Sequence, residues 1–153
     1  MALFIGSNIV TIDNKGRIVL PSLFKKAMGE LPLETIILEK NETMGCLDIH
    51  TEDSWEKKVD NFSRPLDEFS PEDNELLQEF FERFTTVSVA SNGRINIPND
   101  FLEFAGLTTK VKFVGMRNVI RIINADKNAK PKMDSDLYNA KVKETRTRKP
   151  KAT

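Results

Sequence analysis

The sequence predicts an α+β protein in which two copies of a β-rich unit interlock their strands into one barrel-like core. Three observations carry this reading. A motif recurs at a constant spacing. Each copy joins short β runs through strong turn chemistry and adds a short helix. Charge is segregated along the chain, marking a helical insert between the copies and a basic tail after them. With 153 residues the chain has room for one core, or for two small halves that share one.

The recurrence is Val10 to Phe24 against Val87 to Phe101. Arg17 and Arg94 stand 77 positions apart, as do Gly16 and Gly93, Pro21 and Pro98, Phe24 and Phe101, and Gly29 and Gly106. Gly-Arg-Ile, then Pro, then Phe at one fixed offset marks a duplicated unit. The expected organisation is a first repeat over 3–50, a helical insert over 51–84, a second repeat over 85–126 and a basic flexible tail over 127–153.

In the first copy Val10-Thr11-Ile12 and Arg17 to Leu20 are β runs. The Asp13-Asn14-Lys15-Gly16 segment between them has turn chemistry, with Asp at the first position and Gly where φ turns positive. This predicts a hairpin with Arg17 just past its tip. Pro21 lacks the N–H a ladder needs and ends the strand. Ser22 is placed to cap a helix over 23–28 that Gly29 closes. Two further strands follow, Thr35 to Glu39 and Cys46 to Ile49.

The insert carries two helical patterns. Trp55, Val59 and Phe62 fall at i, i+4 and i+7, and Ser63-Arg64-Pro65 breaks the run. Ser70 is placed to cap a second helix from Pro71, with acids at 72 and 73 suiting its N-terminus. Leu76, Leu77, Phe80, Phe81 and Phe84 line one face of it, as core or as a subunit interface. The second copy repeats the first: β runs over 85–89 and 95–97 around Ala90-Ser91-Asn92-Gly93, a helix capped by Asn99 and stopped by Gly106, then strands over 110–115 and 119–123 turning at Met116-Arg117-Asn118.

Composition removes several functions. Cys46 is the only cysteine and His50 the only histidine, so neither an internal disulfide nor a Cys/His zinc site within one chain is available. No G-x-S-x-G accompanies His50, which reads as a strand-end residue. The acid pairs Asp53/Glu56 and Glu72/Asp73 sit at helix starts, where carboxylates belong anyway. The expectation is a non-enzyme with no cofactor and no small-molecule substrate. No run approaches the roughly 18 apolar residues of a membrane span, and the first ten residues lack a signal peptide's charged and apolar regions. A cytoplasmic protein with no membrane partner is expected.

Basic and acidic residues balance at 23 each, yet residues 48–83 hold twelve acids and four bases, and residues 127–153 hold nine bases and three acids. The tail, with Pro131 and Pro150, reads as disordered, either a solubilising extension or a phosphate-binding arm. The acidic insert is expected to face away from any nucleic acid.

Asp13-Asn-Lys-Gly-Arg17 followed by Ile18-Val-Leu-Pro21 resembles the signature of SpoVT-AbrB swapped-hairpin domains. Two such copies around a helical insert are similar to the MraZ family of bacterial transcriptional regulators. Gly45-Cys46-Leu47 followed by Trp55, Phe84 leading into the second copy, and the Ala105-Gly106-Leu107 to Gly115 stretch share that likeness, which covers about residues 3–126. It implies a duplicated swapped-hairpin β-barrel, a ring-like homo-oligomer, and binding of double-stranded DNA at G-rich direct repeats before the division and cell-wall gene cluster, on the nucleoid. The family's Asp-x-x-x-Arg maps onto Asp13 and Arg17. In the second copy Arg94 matches and Ala90 replaces the Asp, so the two loops are expected to differ in preorganisation, and the second lacks a negative charge near phosphate. Related domains occur in antitoxins, so a module that binds DNA together with a protein partner is the alternative.

The residues themselves suit that chemistry. An Arg fork matches guanine O6 and N7 or two phosphate oxygens, and a two-stranded ribbon fits the major groove. Arg17 and Arg94 are the expected base or phosphate contacts. Lys15, Asn14, Asn92 and Ser91 are expected donors to phosphate. Asp13, Gly16 and Gly93 are expected to orient the loops, the glycines also letting backbone approach the duplex. The competing reading of a lone Arg at a strand start is a solvated charge or an ion pair.

Overall fold

The computed structural model describes residues 3–28, 35–126 and 133–148. Its elements are β1 Ser7–Thr11, β2 Arg17–Val19, α1 Ser22–Ala27, β3 Thr35–Asn41, β4 Cys46–His50, α2 Glu52–Ser63, α3 Pro71–Phe81, β5 Phe84–Ser88, β6 Arg94–Asn96, α4 Asn99–Ala105, β7 Lys110–Gly115, β8 Val119–Asn124 and α5 Ser135–Thr145. The class is α+β. Six antiparallel strands form one sheet in the order β1-β7-β8-β4-β3-β5, and β2 with β6 forms a two-stranded ribbon. The larger sheet does not close on itself.

The duplication is written into the pairing. The β3–β4 hairpin of the first copy meets the β7–β8 hairpin of the second along β4–β8, from Leu47 opposite Ile122 to His50 opposite Val119. Each copy lends its first strand to the other: β1 pairs with β7 and β5 with β3. The turn predicted after Ile12 is made, with Asp13 N–H bonding Arg17 O at 3.1 Å and Gly16 N–H bonding Asp13 O at 3.1 Å. The hairpin does not continue below its tip. Ile12 N–H bonds Thr109 O at 2.8 Å and β2 turns to β6. Short strands leave their outer hydrogen-bonding edges open, and here the other copy supplies the partner.

Alternation puts Ile18, Leu20, Ile36, Leu38, Leu47, Ile49, Ile95, Ile97, Ile120 and Ile122 into one core with Phe24 of α1, Phe101 of α4 and Phe113 of β7. α4 packs on this side of β3 and β4. The opposite side of the same strands presents Glu39, Asp48 and His50, and α2 covers it. Lys58 of α2 bonds Glu39 at 2.5 Å, and His50 bonds Glu39 at 2.6 Å and Ser54 of α2 at 3.1 Å. Arg121 of β8 bonds Asp48 at 3.0 Å. β4 is thus buried on both faces, one apolar and one ionic.

Several local expectations shift. Ser22 and Asn99 are not caps: each is the first residue of its helix, and the caps are Pro21 and Pro98 in extended backbone, with no side-chain cap bond. Proline's ring holds the non-helical entry, and its carbonyl accepts the first helical N–H groups. Ser70 does cap α3, accepting from Asp73 N–H at 3.3 Å, and Gly106 ends α4 in the left-handed region at φ 62°. The Gly29 stop lies outside the described residues. Phe84 opens β5 rather than extending the α3 face, and its ring still meets Trp55 and Phe80. Within the tail expected to lack structure, 135–145 is helical: Asp134 caps it by accepting from Leu137 N–H at 2.8 Å, and no proline falls inside it.

Candidate nucleic-acid interface

The two Gly-Arg loops meet on the ribbon. β2 and β6 run antiparallel with Arg17 opposite Asn96, Ile18 opposite Ile95 and Val19 opposite Arg94. The ladder extends one step at each end, Ile97 N–H to Gly16 O at 2.9 Å and Leu20 N–H to Gly93 O at 3.0 Å. The offset of 77 therefore becomes a local two-fold relation between the copies. Ile18 and Ile95 point into the core, so Arg17, Val19, Arg94 and Asn96 share the outer face. Arg17 and Arg94 are diagonal neighbours, about 7–8 Å apart at their backbones. The acidic α2 lies against the sheet face that the ribbon's side of the core does not occupy.

The loops have one backbone and two electrostatic characters. In the second, Ala90 N–H bonds Arg94 O at 2.9 Å and Gly93 N–H bonds Ala90 O at 2.8 Å, repeating the first turn. In the first, Asp13 Oδ1 accepts from the N–H groups of Lys15 and Arg17, each at 2.9 Å, and Oδ2 accepts from Arg17 Nε at 2.7 Å. The Arg17 N–H above all, with the Arg17 guanidinium and the Lys15 N–H, holds the Asp13 carboxyl below its usual range. Asp13 thus orients Arg17 and neutralises part of its charge.

In the second loop Ala90 has no oxygen to offer. Asn92 Oδ1 takes over one bond, accepting from Arg94 N–H at 3.0 Å. Asn92 therefore braces the turn, leaving only its amide NH₂ for a phosphate. The exposed Arg94 guanidinium has no ion pair among the described residues. Asn14, Lys15 and Ser91 are exposed at the loop tips.

Gly16 and Gly93 are buried, with φ of 78° and 86°. A Cβ on Gly16 would lie 2.9 Å from Leu102 Cδ1 and 3.1 Å from Ile97 O. On Gly93 it would lie 2.8 Å from Lys25 Cδ and 3.2 Å from Lys25 Nζ. The bare backbone thus makes room for the other copy's helix. Leu102 occupies over the first loop the place that Lys25 occupies over the second, again 77 positions apart. Lys25 is a cation of the site that no loop motif marks; its signal in the sequence is the offset, followed past the loop into the helix.

A duplicated swapped-hairpin protein that presents two arginine loops on one ribbon is the class this geometry defines. No protein-family model matches the chain. It is similar to proteins named transcriptional regulator MraZ: 26% identical over 144 residues to that of Bacteroides thetaiotaomicron, covering 94% of this chain and 92% of the relative. The match to that of Dictyoglomus thermophilum is 32% over 123 residues, 78% of each chain, and to that of Cytophaga hutchinsonii 30% over 126 residues, 82% of each. The chain belongs to the MraZ family of transcriptional regulators. Among the described residues no cluster of His, Cys, Asp or Glu could hold a metal, and no helix is long and apolar enough to cross a membrane.

Proposed function

We propose that the chain is a sequence-specific transcriptional regulator that binds double-stranded DNA through Arg17 and Arg94. The observation that carries this is their common outer face on the β2–β6 ribbon. A diagonal of about 7–8 Å spans roughly two base-pair steps of 3.4 Å, and a ribbon of this width enters the major groove. Asp13 presents Arg17 in a fixed direction, suited to one guanine edge. Arg94, unpaired among the described residues and beside Lys25, suits phosphate or a second base. Lys15, Asn14, Ser91 and the Asn92 amide contact the sugar-phosphate backbone.

One ribbon neutralises few phosphates, and affinity follows that number. The protein therefore acts as a ring-like homo-oligomer that sets several ribbons against repeated sites, where effective concentration multiplies weak contacts. By the family resemblance the sites are G-rich direct repeats in the promoter of the division and cell-wall cluster, on the nucleoid in the cytoplasm. The protein is a non-enzyme without cofactor.

The test is selection of bound duplexes from a random pool, then fluorescence anisotropy of the selected site over a salt series. Arg17→Ala weakens binding by about 1–3 kcal/mol and relaxes preference at one base. Arg94→Ala lowers the salt slope by about 0.9 for each phosphate that its guanidinium neutralises. Affinity, preference and slope unchanged in both variants refute the site.

A further inference from the structure

The insert and the tail leave complementary faces uncovered. Helix α5 has no buried residue, and Leu137 and Tyr138 are 46% and 59% exposed. Leu137, Tyr138, Lys141, Val142 and Thr145 fall at i, i+1, i+4, i+5 and i+8, one face of the helix. An isolated helix of eleven residues is marginal in water and gains from a surface to lie on. On α3, Leu76 is 50% exposed, with the exposed acids Glu72, Glu75 and Glu79 one turn before it, beside it and one turn after it. Phe69, just before α3, is 87% exposed.

Charge decides between the possible occupants. The segment with α3 carries a balance of −8 over 48–83, and the segment with α5 carries +6 over 127–153. Glu72 and Glu75 are in no ion pair among the described residues. α5 itself carries two acids and two bases, and the basic surplus lies in its flanks, Arg146 and Arg148 directly after it among them. A helix with an apolar edge and basic flanks meets an acidic face with an apolar centre, and the chain supplies both. Its own α5 does not cover Leu76 of its own α3, since Leu76, Leu137 and Tyr138 are all open to solvent.

We propose that α5 of one subunit docks along α3 of a second copy, with Leu137, Tyr138 and Val142 covering Leu76, and Lys141 set among Glu72, Glu75 and Glu79. The inference rests on the self-association in the proposed function and adds a clasp between subunits. It is independent of which residues touch DNA. It assigns the basic tail to protein rather than phosphate, and the acidic insert to a partner of the same sequence.

The experiment mixes full-length chains of natural and heavy isotopic composition and couples ammonium to carboxylate groups with a zero-length carbodiimide. The expected products join Lys141 of one isotopic form to Glu72, Glu75 or Glu79 of the other. Lys141→Glu abolishes carbodiimide coupling at 141, so the charge is tested at a distance: Glu72→Lys with Glu79→Lys lowers the Lys141 to Glu75 product roughly fivefold or more, the equivalent of an exposed ion pair. Raising the salt lowers it in the wild type as well. Products confined within one chain, products with none of the three glutamates, or no mixed-isotope product at all overturn the proposal. Mixed products that appear only when DNA is present also overturn it. Anisotropy of the Arg17 and Arg94 variants is a separate titration, so failure of the clasp and failure of the DNA site are told apart.

Discussion

Gly16→Ala places a methyl group where the two copies lock together. Gly16 sits at φ 78°, and its carbonyl accepts the Ile97 N–H at 2.9 Å. The new Cβ would lie 2.9 Å from Leu102 Cδ1 and 3.1 Å from Ile97 O. The left-handed backbone costs an L-residue about 1–2 kcal/mol, and overpacking adds about 1–3 kcal/mol, so the loss is about 2–5 kcal/mol. Gly106→Ala is the control: φ is 62° there, but nothing lies within 4 Å of the added atom. Only the backbone cost applies, about 1–2 kcal/mol. Urea unfolding at neutral pH reads both. At an m of about 2 kcal/mol/M, Gly16→Ala lowers the midpoint by roughly 1–2.5 M with m unchanged. Leu102→Ala in the same chain removes the flexible half of the clash, so the double variant loses less than the two single losses together. If Gly16→Ala costs no more than Gly106→Ala, the close approach of the repeats at this turn is wrong.

Two further predictions concern the ionic face under α2. Arg121→Met leaves Asp48 buried with only the neutral donors Asn41 and, at 4.0 Å, the Cys46 thiol, and costs about 3–5 kcal/mol in urea unfolding. Arg83→Met breaks surface pairs with the exposed Glu42 at 3.4 Å and Glu79 at 4.0 Å, with its bond to the Glu79 carbonyl, and costs less than about 1 kcal/mol; equal losses would refute the ranking. Glu39 gives the pH dependence. Burial pushes its carboxyl up, and the hydrogen bonds from His50 and Lys58 outweigh this and hold it below 4.5. A depressed carboxyl contributes fully above its unfolded value and loses that contribution as pH falls through the folded one. Stability therefore falls below about pH 4.5 more steeply in the wild type than in Glu39→Gln, and parallel acid limbs in urea midpoints would refute it.

Local chemistry made most elements legible. Asp-Asn-Lys-Gly and Ala-Ser-Asn-Gly turn where the residue types require, Ser70-Pro71 opens α3, and Gly106 closes α4. What misled was placement beside proline: Ser22 and Asn99 have capping side chains, but Pro21 and Pro98 already occupy the boundary. In the candidate site, Arg17 and Arg94 were marked by repetition, while Lys25 and Leu102 belong to helices and only packing brings them over the loops. Glu39, Asp48 and His50 alternate with apolar neighbours as on a wet strand face, and nothing local announces that α2 will cover them.

Residue type, the constant offset and the period of each element were enough to establish the duplication, the kind of element at each described stretch except the helix over 135–145, the turns, and which side chains of each strand turn inward. Packing had to choose which strands pair across the copies, whether both arginines share one face, and which charges lie buried. A strand of three to seven residues specifies its faces but carries little information about its edges. The partner at each edge is chosen by the combined burial of both repeats, a sum over the whole chain that no single segment contains.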